Sequence, residues 1–210
     1  GEQIALAGGS TRRRAYELLA DMDLDWSRCE LWLGDDRCVP PDHEHSNFKM
    51  VQETLVDRIP DDDYPGSWRR IQGELGPKRA AELFEEELRL VFREREWPRF
   101  DLILLGIGPD AHTASLFPND AALAERRRWT VGVDTPGMAP LVPRVTLTLP
   151  VLNAAREVVF LISGADKADA VARAFGDAPS LDAPSSLVNP PDGALTVLLD
   201  EAAAARLPAR

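Results

Sequence analysis

The chain has 210 residues, 44% of them hydrophobic, and carries 35 acidic against 24 basic side chains, a formal net charge of −11. That length and apolar content suit one globular domain with a full core, and the acidic balance argues against nucleic acid and anionic membrane surfaces as partners, since both need a basic footprint. No apolar run approaches the roughly 20 residues of a membrane span, no signal peptide is visible, and Cys29 and Cys38 lack the spacing of a zinc site or redox pair, so reduced thiols in a cytoplasmic protein are expected.

Residues 4–7 read as a short buried strand, after which Gly8-Gly9-Ser10-Thr11 opens a helix over 12–20. Glycines let a backbone approach a phosphate, the hydroxyls of Ser10 and Thr11 add donors, and the free N–H groups of a helix start point the same way. Arg12, Arg13 and Arg14 then place positive charge against the helix dipole, unfavourable by about 0.3 kcal/mol or more, and a bound anion would remove that conflict. Simple capping by Ser or Thr with solvated arginines fits the same letters. Cys29–Leu33 is the next strand and delivers Gly34-Asp35-Asp36-Arg37 to the same edge, with Ser46 capping a helix over 47–56. Arg37 is the candidate clamp, because a planar guanidinium matches a phosphate or a developing oxyanion. His43 and His45 have no further ligands to make a metal site. The segment 61–66 reads as a surface loop, and Pro77 starts a long amphipathic helix to residue 95, ended by Pro98.

The stretch 101–118 organises the rest. Asp-Leu-Ile-Leu-Leu is a continuous apolar run that stops at Gly106, as a strand buried on both faces of a parallel sheet does. Asp110, His112, Thr113 and Ser115 follow at its carboxyl end, where open α/β sheets bind ligands. Gly106-x-Gly108-x-x-Ala111 formally fits a dinucleotide fingerprint, but Pro118 interrupts the helix that fingerprint requires and one glycine is missing. Farther on, Thr130–Val133 is a strand, 142–149 alternates like a strand with one exposed face, 150–155 makes a helical turn, and Glu157–Ile162 returns as a buried strand. Ser163-Gly164-Ala165-Asp166-Lys167 opens another helix to residue 175, with Lys167 as a second cation near a helix start. The Pro/Ser/Asp-rich segment 177–192 reads as a surface loop, before a strand at Ala194–Leu199 and a helix over 201–207. Strands alternating with helices imply a three-layer α/β/α architecture with a mostly parallel sheet and right-handed crossovers.

Gly106-Ile-Gly-Pro-Asp-Ala-His-Thr-Ala-Ser-Leu-Phe-Pro118 resembles the signature of the 6-phosphogluconolactonases, whose usual form has Gly at Ala111 and commonly at Asn119. Gly8 to Thr11, Gly34 to Asn47, Gly73-Glu74-Leu75, Pro143 to Ala155 and Gly164 to Lys167 resemble further segments of that family, in order. There are departures: Arg12 stands where Pro is normal and Asp36 where Glu is usual. Members carry a helix and a strand before this chain's first strand, which leaves room for an N-terminal segment outside this sequence. The resemblance implies one lactonase domain over 1–210, of the fold shared with glucosamine-6-phosphate deaminases, hydrolysing the lactone of 6-phosphogluconate in the oxidative pentose phosphate pathway.

It implies His112, Asp110 and Arg37 as the catalytic group, Gly8, Gly9, Ser10, Thr11 and Lys167 as the phosphate site, and Asp36, Asn47 and Gly108 as further site residues. Hydrolysis of an activated ester needs a base near neutrality, and an unperturbed imidazole with a pKa of about 6.5 serves. No metal and no organic cofactor are required, the partner is a small phosphosugar lactone, and the expected state is a monomer or weak homodimer. Two alternatives remain. Deaminases of the same fold carry Asp-Gly-His at this turn but a Met-Asp-Glu-Tyr type sequence in place of Gly-Asp-Asp-Arg, and a non-enzymatic phosphosugar-binding module would keep the phosphate residues. Ala111 bears on the second: if that position needs φ > 0, alanine is strained there and could displace His112.

Overall fold

The computed structural model describes residues 1–209. In chain order it builds β1 (Glu2–Leu6), α1 (Ser10–Ala20), β2 (Cys29–Leu33), β3 (Asp35–Arg37), α2 (Asn47–Thr54), β4 (Ser67–Trp68), α3 (Pro77–Val91), β5 (Leu102–Leu105), β6 (Thr130–Val133), β7 (Arg144–Leu147), α4 (Leu149–Ala154), β8 (Glu157–Ile162), α5 (Ala168–Val171), β9 (Ala194–Leu199) and α6 (Glu201–Ala204). Six strands form one parallel sheet in the order β4-β2-β1-β5-β8-β9. The chain winds outward from β1 through β2 to β4, then restarts at β5 and winds the other way through β8 to β9. The loops after β1 and β5 therefore diverge, and the crevice between them is where such a sheet binds ligands. Helices cover both faces in a three-layer α/β/α arrangement. Trp32 on β2 anchors the core beneath α3: its ring lies 5.9 Å from that of Phe84 and 6.2 Å, edge-on, from that of Phe100, in the spacing aromatic pairs favour.

A second sheet departs from the expected alternation. β3, β7 and β6 form a three-stranded antiparallel sheet in that order. β3 reads in the sequence as loop, because three polar residues carry no apolar period. The expectation of an exposed face on 142–149 is corrected: Arg144 to Leu147 are all buried. β7 is the middle strand, α3 packs against it and β6, and its polar side chains are satisfied internally. Thr146 Oγ1, for example, accepts from Ser115 N at 3.2 Å and donates to the Leu147 carbonyl.

Several helices are shorter than their patterns suggest. α3 stops at Val91 instead of reaching 95, and Glu94 turns the chain with φ of 58° before Pro98 is reached. The helix expected to reach residue 175 is broken into a 3₁₀ turn, α5, and a wide turn over Ala172–Gly176, and α6 ends at Ala204. One charged staple joins α3 to the small sheet. The buried Glu85 carboxylate accepts from Arg89 Nη2 (2.7 Å), Arg128 Nε (2.9 Å) and the backbone N–H groups of Trp129 and Thr130. Burial alone would raise its pKa, but the two guanidinium groups and the Thr130 N–H outweigh it and hold the group below the ordinary glutamate value.

Candidate active site

At the end of β1 the chain passes through Gly8 and Gly9, the latter with φ of 97°, into α1. A side chain on Gly8 would collide with the Asn47 amide, so the backbone there is bare because Asn47 fills the space. Gly8 and Gly9 line a cavity of about 220 Å³ over the crevice. Ser10 and Thr11 do not, against expectation. Ser10 is exposed, and Thr11 Oγ1 pairs with Ser163 Oγ at 2.6 Å, joining α1 to the end of β8. Their place is taken by Arg12, which the sequence presents only as an unfavourable first-turn charge. Its Nε donates to Gly8 O (2.7 Å) and its Nη1 to Leu161 O (2.8 Å), and the guanidinium lies against Gly106.

On β3, successive side chains point to opposite faces. Asp35 and Arg37 line the cavity while Asp36 between them faces α2. This corrects the expectation for Asp36. Its carboxyl accepts from the N–H groups of Arg37 (2.8 Å), Asn47 (2.7 Å) and Phe48 (3.2 Å), so it closes the start of α2; burial pushes it up to about 7 against these three donors. Asp35 Oδ2 accepts from Ser115 Oγ (2.7 Å), and Asp35 O accepts from Asn47 Nδ2 (3.1 Å). Arg37 Nη1 donates to His45 O (3.0 Å), and its buried Nε has no partner among the described residues.

After β5 the turn is held by backbone bonds from Gly108 N to His112 O and from Ala111 N to Gly108 O, both 2.9 Å. Asp110 and His112 do touch. One oxygen, Asp110 Oδ1, accepts from the His112 N–H (3.0 Å) and sits 2.5 Å from His112 Nδ1, and the Phe117 ring lies 4.7 Å from the imidazole. Burial would raise the Asp110 carboxyl, but the hydrogen bonds and charge of His112 prevail and keep it below the usual aspartate value. A charged carboxylate thus holds Nδ1, leaving Nε2 for other chemistry. Ala111 has φ of 67° and Asn119 55°. For alanine the left-handed region costs about 1–2 kcal/mol, yet His112 is not displaced from Asp110.

Two further groups complete the cavity wall. Lys167 reaches it from the turn after β8, its ammonium drawn below the ordinary lysine value by burial, which Asp166 only partly offsets. Arg144 on β7, 2% exposed, donates through Nη2 to Met138 O (3.3 Å) and Pro140 O (3.0 Å). Four cations, Arg12, Arg37, Arg144 and Lys167, thus line one cavity of a chain whose net charge is −11. A site of that sign recruits an anion. Among the described residues, no cluster of three or more His, Cys, Asp or Glu is arranged to hold a metal ion.

The family profile described as glucosamine-6-phosphate isomerases/6-phosphogluconolactonase matches residues 2–197. The chain belongs to this family. A 6-phosphogluconolactonase of Nostoc sp. is 41% identical over 211 residues, covering 97% of this chain and 84% of that protein. The solved structure of 6-phosphogluconolactonase from Trypanosoma cruzi superposes with a TM-score of 0.84 at 30% identity, over 99% of this chain and 85% of that one. A monomeric glucosamine-6-phosphate deaminase shares the fold, with a TM-score of 0.82 at 19% identity over 98% of this chain and 88% of the other. The glycines usual in lactonase members of the family at Ala111 and Asn119 fall where this chain adopts positive φ, which gives that preference a physical reason.

Proposed function

We propose that this chain hydrolyses 6-phospho-D-glucono-1,5-lactone to 6-phosphogluconate in the pentose phosphate pathway. The observation that carries the reading is the Asp110-His112 pair at the end of β5, set in the same cavity as four cations. His112 Nε2 takes a proton from a water as its oxygen bonds to the lactone carbonyl carbon. The charge that develops on the carbonyl oxygen requires a fixed donor, and Arg37, which lines the cavity, is the candidate. Collapse of the tetrahedral centre breaks its bond to the ring oxygen, which receives the proton back from the imidazolium. Asp110 stabilises that imidazolium through Nδ1 and acts as a positioning residue.

The phosphate is assigned to the Gly8-Gly9 backbone with Lys167, joined by Arg12 and Arg144, and its binding energy positions the lactone. No step calls for a metal or an organic cofactor. The whole of 1–210 is taken as one lactonase domain, working as a monomer or weak homodimer. A cytoplasmic location is the companion proposal, supported by the free thiols of Cys29 and Cys38; no helix among the described residues is long and apolar enough to cross a membrane. The deciding experiment is lactone hydrolysis followed directly, with the spontaneous rate subtracted. Enhanced turnover of the phosphorylated lactone over gluconolactone is expected. Binding of 6-phosphogluconate without turnover would convert the reading to a binding module.

A further inference from the structure

We infer that Ser185, in the segment the sequence reads as a surface loop, is a positioning residue for His112. Ser185 is fully buried and directs two donors at one atom: its N–H (3.0 Å) and its Oγ (2.9 Å) both reach the carbonyl oxygen of Ala111. Ala111 lies between Asp110 and His112 in the left-handed region, where its Cβ favours departure. The Ala111 carbonyl and the His112 N–H belong to one rigid peptide plane. Ser185 grips one edge of that plane and Asp110 Oδ1 the other, at 3.0 Å from His112 N. Rotation of the plane would break both grips and carry the imidazole with it.

A separate set of bonds makes the segment a brace for the whole stretch. Asn119, which like Ala111 and Ala114 has positive φ, donates its N–H to Leu181 O (3.0 Å) and its Nδ2 to Asp182 Oδ1 (2.6 Å). The brace is itself fixed, since Ser186 Oγ accepts from Ser180 N (2.9 Å) and Asn153 of α4 donates to Leu187 O (3.1 Å). Ala111 and Asn119, two of the three residues with positive φ between 111 and 119, are therefore held from outside by one element. Glycine at these positions would need less holding.

The inference rests on the hydrolase reading, and its test is a double-mutant cycle. Ser185→Ala removes one donor without adding volume, and should lower kcat about 3- to 10-fold with KM unchanged within about twofold. In an Ala111→Gly background, where positive φ is no longer disfavoured, the same substitution should lower kcat less than about twofold. Equal losses in the two backgrounds, no loss in either, or a change confined to KM would overturn the inference. Proton NMR of the ligand-free protein gives a readout independent of turnover. The resonance of the His112 Nδ1 proton facing Asp110 should broaden by faster solvent exchange in Ser185→Ala and sharpen again in the double variant. An unaltered resonance overturns the inference even if the parent proves inactive on the lactone, an outcome that would instead refute the hydrolase reading.

Discussion

Arg37 and Arg144 are register partners across β3 and β7, so two guanidinium groups on neighbouring strands line one cavity. Like charges directly opposite on a sheet are unfavourable, and burial above all holds the Arg144 guanidinium below its ordinary value, with Asp35 opposing and Arg37 adding to the shift. A bound anion relieves both. Inorganic phosphate or 6-phosphogluconate at a hundred times its dissociation constant should stabilise the fold by about 2.7 kcal/mol, read as a rise in Tm. Arg144→Met should abolish most of that rise. An undiminished shift would remove Arg144 from the anion site.

Lys167 reaches the cavity with its ammonium only 3.9 Å from the exposed Asp166 carboxylate, too long for a strong competing bond. Lys167→Ala should raise KM by more than it lowers kcat, with a loss of about 1.5–3 kcal/mol in transition-state binding if a charge-assisted hydrogen bond is removed. Steady-state kinetics separate the two. A fall in kcat alone would place the lysine at the carbonyl and not at the phosphate.

His112→Asn keeps a polar side chain of similar reach but cannot take up a proton, and kcat should fall about 10²- to 10⁴-fold while 6-phosphogluconate still binds. The folded-state pKa of Asp110 lies below the ordinary aspartate value, so its carboxylate is charged throughout the range in which an imidazole titrates. Asp110 therefore does not set the acid limb of kcat/KM, and Asp36, which burial pushes up to about 7, stands beside the histidine and the substrate phosphate as a candidate source. Repeating the profile with an unphosphorylated lactone removes the phosphate, Asp36→Asn removes the carboxyl, and near-parental turnover in His112→Asn would place the base elsewhere.

Glu85 ties α3 to β6, and neither it nor its partners line the cavity, so its loss should show in stability and not in chemistry. Its pKa is lower folded than unfolded. The unfolded state then binds more protons in the window between the two values, and the contribution is complete above about pH 4.3 and fades as pH falls through the folded value. Glu85→Gln should be about 2–4 kcal/mol less stable at pH 7. In urea titrations the gap should narrow at pH 3. A gap independent of pH would mean that the carboxylate's charge contributes nothing.

The sheet and its loops were legible because each strand-to-helix turn repeats one local pattern: apolar run, small residues, polar residues. His112 and Asp110 could be named for the same reason. β3 could not, since its pairing with β7 joins residues about a hundred positions apart, and the resemblance names Asp36 whereas only a strand assignment says that its neighbour Asp35 is the carboxylate facing the cavity. Arg144 was hidden in a strand that reads as half-exposed, although a lone arginine among Val, Thr and Leu was a usable signal. Ser10 and Thr11 fit a phosphate loop by composition, but the helix begins at Ser10 and turns their side chains away from the cavity.

The bare backbone at Gly8, Gly106 and Gly108 bears on mutational tolerance. A methyl group at these positions would meet, in turn, the Asn47 amide, the Arg12 guanidinium and the His112 ring. Each glycine is therefore the mould of one functional side chain, and substituting it would evict that side chain before any ligand was touched. In a saturation scan these three positions would rank with the chemical groups themselves, although a glycine has no side chain with which to act. Variants that restore activity after such a change would arise at the partner, where a shorter side chain reopens the space, and the Gly106–Arg12 pair is the place to expect it, because Arg12 stands where lactonases of the family normally carry Pro.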